Sequence, residues 1–271
     1  MGYGRKILDL SENGRQPMSY ADGRYEITFN GEVYNFIEIR RELMSKGYTF
    51  KSDTDTEVII AAFIEWGEKC LDMFNGMWTF AIWDRLEKMF ISRDRFGIKP
   101  LYIANQGGRI AFASEMKAIM PLLDKTDINR SLIERYLKNP HYEMQDECLV
   151  EEIKRFPAGF CAWIDASGNI EMKRWWNTLD HIVDVPAAYE EQVEKFRELF
   201  LDSCRIRMRS DVTLGTALSG GLDSSATICA MAHIMNGADN DRVNNDWQHA
   251  FVATFAGTPF DETRYARQVT D

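Results

Sequence analysis

A short glycine- and serine-rich segment between an apolar run and a helical pattern constrains the fold of this chain more than any other feature. It runs from Ser219 to Ser225, reads SGGLDSS, and lies after the apolar run 213–218 and before a helix expected from about Ala226. A second apolar run, 250–255, follows that helix. Strand, helix and strand in this order predict the opening of a parallel α/β domain. A parallel sheet of two strands with one crossover helix cannot bury both of its faces, so we expect this domain to be incomplete.

The chemistry of the segment suits phosphate. Glycines let a backbone approach a ligand closely, and the start of a helix offers unpaired N–H groups and a positive dipole end. Asp223 would repel phosphate, so Mg²⁺ coordination or a helix cap is the better role for it. No lysine follows the glycines, which excludes a Walker P-loop. A plain glycine-rich turn with capping residues is the alternative.

The composition bounds the class of protein. The 271 residues are 45% hydrophobic and 27% charged, as in globular proteins. The sequence has neither a run of about 18 apolar residues nor a secretory signal, which predicts a cytoplasmic protein without a membrane span. The net charge of -10 argues against a nucleic-acid partner. The five cysteines include no C-x-x-C pair and are expected to be reduced, with Cys161 in a strand core.

The first part of the chain alternates between strand and helix patterns. Helices are expected from Phe36 to Lys46, ending at Gly47, and from an N-cap at Asp55 or Thr56 through Trp66. Hairpins are expected around Gly107-Gly108 and Ser167-Gly168. The pattern therefore predicts stacked antiparallel sheets with helices outside. The expected strands are 25–30 (ending at Gly31), 78–83, 89–92, 101–104, 110–113, 161–165 and 170–173.

A helix is also expected in the second part of the chain, after residues 186–188. One face of it carries Tyr189, Val193, Phe196, Leu199, Phe200 and Cys204.

A series of motifs carries a family resemblance. SGGLDSS resembles the pyrophosphate-binding loop of the ATP pyrophosphatase superfamily, and FNGEVYN at 29–35 resembles the FNGEIYN signature of class II glutamine amidotransferases. In order and spacing the series is similar to glutamine-hydrolysing asparagine synthetases, and it separates the chain from phosphoribosyl-pyrophosphate amidotransferase and glutamate synthase. The other matching segments are 53–57, 76–84, 93–102, 114–118 and 156–159.

The resemblance implies a glutamine site. The Asn30 side-chain amide and the Gly31 N–H would form the oxyanion hole, Glu32 would line the substrate, and Asp55 would hold the α-ammonium group. Arg5, which comes into register only with a small gap, would hold the carboxylate. The alternatives are structural: Asn30-Gly31 as an ordinary turn at a strand end, and Asp55 as a helix N-cap.

The resemblance also implies an ATP site with Mg²⁺, in which Asp223 is the candidate metal ligand. Adenine would lie against two strand ends, although these contacts could equally be plain core. The implied ATP-binding residues are Ala217, Leu218, Ser219, Gly220, Gly221, Leu222, Asp223, Ser224, Ser225 and Ala253.

The implied architecture has two domains. Residues 1–178 would be an α+β, Ntn-hydrolase-like αββα sandwich lacking its N-terminal strand region, and 179–271 the beginning of an α/β ATP pyrophosphatase domain. The family's nucleophile is a cysteine after the initiator Met, whereas Gly2 stands here and no cysteine precedes Cys70. We therefore expect a chain truncated at both ends and without glutaminase activity.

The complete relative would make asparagine from aspartate, ATP and glutamine-derived ammonia, releasing AMP, pyrophosphate and glutamate, and a homodimer fits this reading. Two other functions stay open. One is an amide ligase with a different acceptor, as in β-lactam synthetases or sugar amidotransferases. The other is a non-catalytic domain that binds glutamine or a partner chain.

Overall fold

The computed structural model describes residues 7–139, 146–237 and 242–270. Within these, the chain divides into two compact units. One comprises residues 14–182, and the other comprises the residues from 183 onward together with the segment 7–13. The division lies a few residues beyond the boundary expected at 178. None of the described helices is both long enough and apolar enough to cross a membrane.

The first unit contains two antiparallel sheets. A six-stranded sheet has the order β1-β2-β3-β4-β8-β9, and a three-stranded sheet has the order β6-β5-β7. The strands are β1 Met18–Tyr20, β2 Tyr25–Val33, β3 Gly76–Asp84, β4 Met89–Arg93, β5 Tyr102–Gln106, β6 Arg109–Ala113, β7 Ile153–Arg155, β8 Phe160–Ile164 and β9 Ile170–Arg174. The helices are α1 Phe36–Ser45, α2 Asp55–Trp66, α3 Cys70–Met73, α4 Met116–Ile119 and α5 Arg130–Lys138.

The unit is layered as helix, sheet, sheet, helix. Between the sheets lies a buried core that joins Ala81 and Ile91 of the large sheet to Ile103 of the small one. On the outer face of the large sheet, Phe63 of α2 stacks on Phe90 at 4.9 Å between ring centroids. On the outer face of the small sheet, Ile119 of α4 packs with buried neighbours from that sheet. The predicted αββα sandwich is therefore confirmed, including Cys161 in a strand core.

Two predicted element ends were wrong. The strand does not end at Gly31, because β2 continues to Val33 and pairs with β3 throughout. The N-cap of α2 is neither Asp55 nor Thr56 but Thr54, whose hydroxyl accepts a hydrogen bond from the Glu57 N–H at 3.1 Å. A threonine three residues before a glutamate is a capping pattern, and it frees the Asp55 carboxylate for another contact.

The β2–β3 pair is unusually close at Gly31. Trp78, its partner in the register, directs both backbone groups away from β2: its N–H donates to the Asp94 carboxylate at 3.2 Å, and its carbonyl accepts from the Asp94 N–H at 2.8 Å. Gly31 and Trp78 therefore form a non-hydrogen-bonded pair, the closer kind in an antiparallel ladder. A Cβ on Gly31 would lie 2.1 Å from the Met77 carbonyl oxygen, so only glycine fits.

The second unit has the predicted parallel arrangement, with two parallel strands, a helix between them in sequence and a helix after them. Two predictions of element bounds there were wrong. Helix α7 begins at Leu222 instead of Ala226, because Gly221 is its N-cap and the rest of the SGGLDSS segment forms its first turn. The last strand stops at Phe251, where pairing with its neighbour ends. The elements are α6 Tyr189–Arg207, β10 Gly215–Ala217, α7 Leu222–Met235, β11 His249–Phe251 and α8 Thr263–Thr270.

Helix α6 forms over the predicted range, but most of its predicted apolar face is not covered. Tyr189 is 73% exposed and Phe196 70% exposed, whereas Cys204 near the end of the helix is buried. The helical period was read correctly. Period alone does not supply a neighbour, so the face stays uncovered over the first three turns of the helix.

The close approach at Gly31 gives a first prediction. Gly31→Ala should lower the free energy of unfolding by about 2 kcal/mol or more, because the added methyl forces two backbones apart. Gly76→Ala should do the same from the opposite strand, since its Cβ would lie 2.1 Å from the Glu32 carbonyl oxygen. Urea unfolding followed by tryptophan fluorescence measures both.

The matched control is Gly107→Asn in the β5–β6 hairpin. Gly107 has φ 61°, no atom lies within 4 Å of the position that a Cβ would take, and asparagine tolerates that backbone conformation. We expect a change within about 1 kcal/mol. Equal losses in all three variants would contradict the steric explanation.

Candidate functional site

The outer edge of β2 carries a row of backbone N–H groups. Because Trp78 turns away from β2, the N–H groups of alternate β2 residues, among them Phe29, Gly31 and Val33, point away from β3. The Phe29 N–H donates to Gln16 Oε1 at 2.6 Å, and the Val33 N–H donates to Asp55 Oδ2 at 3.0 Å. Strand β1 pairs only with residues 25–27. Among the described residues, none accepts a hydrogen bond from the Gly31 N–H, which lies between these two occupied groups.

Asn30 and Glu32 lie on the face of β2 that is directed to the second sheet. They share this face with Thr28, whose partner in the register is Ala81 of the intersheet core. The exposed Asn30 amide donates one proton to Ser114 Oγ at 3.0 Å, at the end of β6. Its second amide proton is available to a ligand. Ser114 was part of a matched segment, but nothing in its spacing indicated this contact.

Asp55 is a buried carboxylate at the same edge. It is 5% exposed and accepts the Val33 N–H, at the first position of α2. Its pKa is raised from 3.8 to about 7: burial is the largest cause, the hydrogen bond from Val33 opposes it, and the nearby Glu32 adds to the rise. The N-cap role is excluded, because Thr54 has it. A cationic partner is the group that best stabilises the ionised form of a buried carboxylate of this kind.

The spacing along the edge defines what could bind. Consecutive same-side N–H groups on a strand are about 6.6 Å apart, so the Gly31 donor and the Asp55 carboxylate beside Val33 are separated by roughly the length of a short amino-acid side chain. A donor for an oxygen at one end and an anion for an ammonium at the other suit an extended amino acid. Arg5, the predicted partner of the α-carboxylate, lies outside the described residues.

The five cysteines lie outside the two elements that carry the candidate residues. Cys70 and Cys161 are buried in α3 and β8, and burial raises the pKa of both thiols, that of Cys161 to about 11. Cys148 is buried as well, and its pKa is also raised by burial. Cys204 and Cys229 belong to the second unit. None of the five lies on β2 or α2, the two elements that carry the candidate residues.

In the second unit, the glycine-rich segment forms a loop and the first turn of α7. Ser219 and Ser224 lie with their hydroxyl oxygens 3.1 Å apart, and the Gly221 N–H donates to Ser219 Oγ at 3.2 Å. Gly220 has φ 82°, and a Cβ there would lie 2.6 Å from Tyr265 Cβ. The glycine is therefore required by the packing of α8, a reason that the sequence did not reveal. The loop itself is exposed.

The residues expected around adenine divide into two groups. Ala217 and Ala253 are exposed near the carboxyl ends of β10 and β11. Leu218 is 1% exposed and packs with Ile228 and Ala266, so its side chain belongs to the core and only its backbone can face a ligand. Ligands of parallel α/β sheets bind at this edge of the strands.

Asp223 lies exposed in the first turn of α7. The part of the chain that the structure describes holds no group of three or more carboxylate, histidine or cysteine side chains suited to a metal ion. Mg²⁺ commonly takes one or two carboxylates and completes its shell with phosphate oxygens and water. A single carboxylate beside a glycine-rich loop therefore fits Mg²⁺ that arrives with a nucleotide.

The raised pKa of Asp55 gives a stability prediction. Because the pKa is higher in the folded than in the unfolded chain, the folded state binds more protons between about pH 4 and 7, and stability falls as the pH rises through 7. Asp55→Asn keeps an acceptor for Val33 without the charge. It should raise the free energy of unfolding at pH 8 by about 1 kcal/mol or more, and by much less at pH 4. Urea unfolding at both pH values measures this.

Asp53→Asn is the control, since Asp53 has a 77% exposed side chain and is only two residues away. It should show no pH-dependent gain. A loss of stability for Asp55→Asn at pH 8 would contradict the account of a carboxylate that burial destabilises.

The chain resembles known families over nearly its whole length. The family model described as "Glutamine amidotransferase domain" matches residues 2–176, and the model described as "Asparagine synthase" matches residues 195–271. Asparagine synthetase [glutamine-hydrolyzing] 1 of Bacillus subtilis is 36% identical over 228 residues, which are 83% of this chain and 36% of that protein. The putative asparagine synthetase 2 of Methanocaldococcus jannaschii is 32% identical over 98% of this chain and 52% of that protein.

A solved structure of glutamine phosphoribosylpyrophosphate amidotransferase from B. subtilis, complexed with ADP and GMP, matches at a TM-score of 0.45 and 17% identity, over 83% of this chain and 47% of that one. The chain spans about a third to a half of the length of these asparagine synthetases. The amidotransferase model matches most of the chain, and the relatives of the chain include asparagine synthetases. The chain therefore belongs to the asparagine synthetase family of glutamine amidotransferases.

Proposed function

We propose that the first unit binds free glutamine at the outer edge of β2. The observation that carries this proposal is the Gly31 N–H between two N–H groups already taken by Gln16 and Asp55. The glutamine side-chain carbonyl would accept from Gly31 and from the second amide proton of Asn30. The α-ammonium would pair with Asp55, and Glu32 would line the pocket. Arg5 is the proposed partner of the carboxylate.

The proposed donors suit the chemistry of amide hydrolysis. An oxyanion that develops on the amide carbonyl is stabilised by aligned neutral donors, which need no counter-charge in the ground state. A backbone N–H of a paired strand is held rigidly, and Asn30 is tied by Ser114. The site is therefore preorganised on the scaffold before the ligand arrives.

In this chain we propose binding without hydrolysis. A class II site needs a nucleophile next to the oxyanion hole, and none of the five cysteines lies on β2 or α2. Burial also keeps the thiols of Cys70, Cys148 and Cys161 protonated, because it raises their pKa values. The glutamine site would then hold its ligand and release it unchanged.

For the whole protein we propose glutamine-dependent synthesis of asparagine: aspartate is activated with ATP and amidated with ammonia from glutamine, which yields AMP, pyrophosphate and glutamate. The names of the relatives support this acceptor. An amide ligase with another acceptor would have the same amidotransferase and ATP-using domains. Measuring amide formation with aspartate and with other carboxylates as acceptors would distinguish the two functions. A cytoplasmic location is also part of the proposal.

The second unit would bind the phosphates of ATP at Ser219 to Ser225. Helix α7 starts at Leu222, so the N–H groups of its first turn and its positive dipole end face this loop. Adenine would lie at the strand ends, against Ala217, Ala253 and the backbone of Leu218. Mg²⁺ bound to the phosphates would be held by Asp223 and would neutralise phosphate charge.

The glutamine proposal predicts a pH dependence. Because an ammonium pairs only with ionised Asp55, whose pKa is about 7 in the free protein, affinity should fall about tenfold between pH 8 and pH 6. Calorimetric titration of the chain with glutamine at both pH values measures this, with glutamate release assayed in the same samples and expected to be absent.

Asp55→Asn should remove binding at both pH values, while Asp22→Asn, in the exposed turn between β1 and β2, should bind as the parent does. Glutarate monoamide, which lacks the α-ammonium group, should bind weakly and without the pH dependence. Glutamine binding that is equal at pH 6 and pH 8 would contradict the role of Asp55, and glutamate release would contradict the absence of a nucleophile.

A separate prediction concerns the nucleotide loop. Asp223→Asn should remove most of the gain in ATP affinity that Mg²⁺ provides, because the amide is a poorer Mg²⁺ ligand. The fold should persist, since Gly221 and not Asp223 caps α7. Equilibrium dialysis of labelled ATP with and without Mg²⁺ measures the effect. Asp246→Asn is the control with the same charge change, and an equal loss there would contradict a specific role for Asp223.

A further inference from the structure

One arginine of α1 holds the loop that leads into Asp55. Arg40 donates to three groups of residues 52–54: Nη2 to the Ser52 carbonyl at 2.8 Å and to the Thr54 carbonyl at 3.1 Å, and Nη1 to Asp53 Oδ1 at 3.1 Å. Its guanidinium also lies 4.7 Å from the centre of the Phe50 ring. The side chain is only 16% exposed. The planar fork of arginine suits several acceptors at once, which a lysine ammonium does not match.

The same loop is held from its other side by a buried carboxylate. Glu57, in the first turn of α2, accepts the N–H of Lys51 at 2.9 Å and that of Ser52 at 2.7 Å, as well as the Ser52 hydroxyl at 2.6 Å. Arg40 therefore binds the carbonyl groups of the loop, and Glu57 binds its N–H groups. Asp55 follows the loop directly, between Thr54 and Glu57.

We propose that Arg40 is a positioning residue of the glutamine site: by fixing residues 52–54 it sets the Asp55 carboxylate against the Val33 N–H, at the end of the strand that carries Asn30 and Gly31. The functional role of Arg40 rests on the proposed glutamine site. Arg40 does not touch the ligand. It connects α1, which follows β2 in the chain, to the start of α2, so that one side chain holds the two halves of the site in register.

Helix α1 does not need Arg40 for its own packing. Phe36, Ile39 and Leu43 bury its apolar face. Loss of the arginine should therefore leave the helix in place and release the loop, which would let water reach Asp55. Since burial is the largest cause of the raised pKa of Asp55, its titration reports directly on whether the loop is held. Glu32 on β2 is the charged group that acts on this carboxylate in the described contacts.

The test compares the parent chain with Arg40→Ala, Arg40→Lys and the control Arg41→Ala, which removes the same charge from the exposed neighbouring residue. Carbon-detected NMR follows the Asp55 carboxyl from pH 4 to 9 and the Val33 amide at pH 8, and calorimetry measures glutamine affinity at pH 8. We expect Arg40→Ala to move the Asp55 midpoint down toward the ordinary aspartate range, to shift the Val33 amide, and to weaken glutamine binding about tenfold.

Arg40→Lys should lie between Arg40→Ala and the parent, and it replaces Arg40→Ala if that variant does not fold. Arg41→Ala should match the parent in all three measurements. An Asp55 midpoint and a Val33 shift that are unchanged in both Arg40 variants would overturn the positioning role, even if thermal stability falls. If the parent does not bind glutamine but the Asp55 midpoint still moves, the positioning of Asp55 by Arg40 stands and the proposed function fails.

Discussion

The backbones of β2 and β3 meet at Gly31 and Trp78, and the candidate glutamine site depends on how Asp94 holds that pair. Asp94 is 1% exposed and takes the Trp78 N–H, so the ladder is set such that Gly31 directs its N–H outward. The same carboxylate accepts the N–H groups of Phe96, Ile98 and Lys99. A buried carboxylate with several donors is stable in its place, and the geometry of the proposed oxyanion donor, the Gly31 N–H, follows from a residue on the far side of β3.

The proposed site also carries a free-energy cost in the unliganded chain. Burial of Asp55 and its proximity to Glu32 disfavour the ionised carboxylate, and backbone hydrogen bonds, the largest of them from Val33, offset this only in part. The fold tolerates the cost because the surrounding segment is fixed: Thr54 caps α2, while Arg40 and Glu57 satisfy the loop before it. A cationic ligand would remove the penalty, which links the stability of the site to its occupancy.

Much of the fold could be predicted from local patterns. The hairpin at Gly107-Gly108 and the helix over Phe36–Ser45 formed as expected, because turn glycines and apolar periodicity act within a few residues. The parallel strand pair also formed as expected, from the order of strand, helix and strand along the chain. The errors arose where distant residues decide. Gly31 resembled a strand end but is required by the Met77 carbonyl, and Gly220 resembled a ligand-facing glycine but is required by Tyr265. The exposed face of α6 shows that an amphipathic pattern does not specify its neighbour.

The sequence by itself determined the family, the motifs and the identity of the candidate residues, because the order and spacing of residue types can be read without any coordinates. Only the tertiary structure decided which of their groups are occupied. Thr54 caps α2, and the Asp55 carboxylate accepts a hydrogen bond from the Val33 N–H. The Asn30 amide donates to Ser114, and the Gly31 N–H faces outward. The physical reason is that a hydrogen bond or a burial penalty depends on atoms brought together from different elements, and spacing along a chain does not encode that distance.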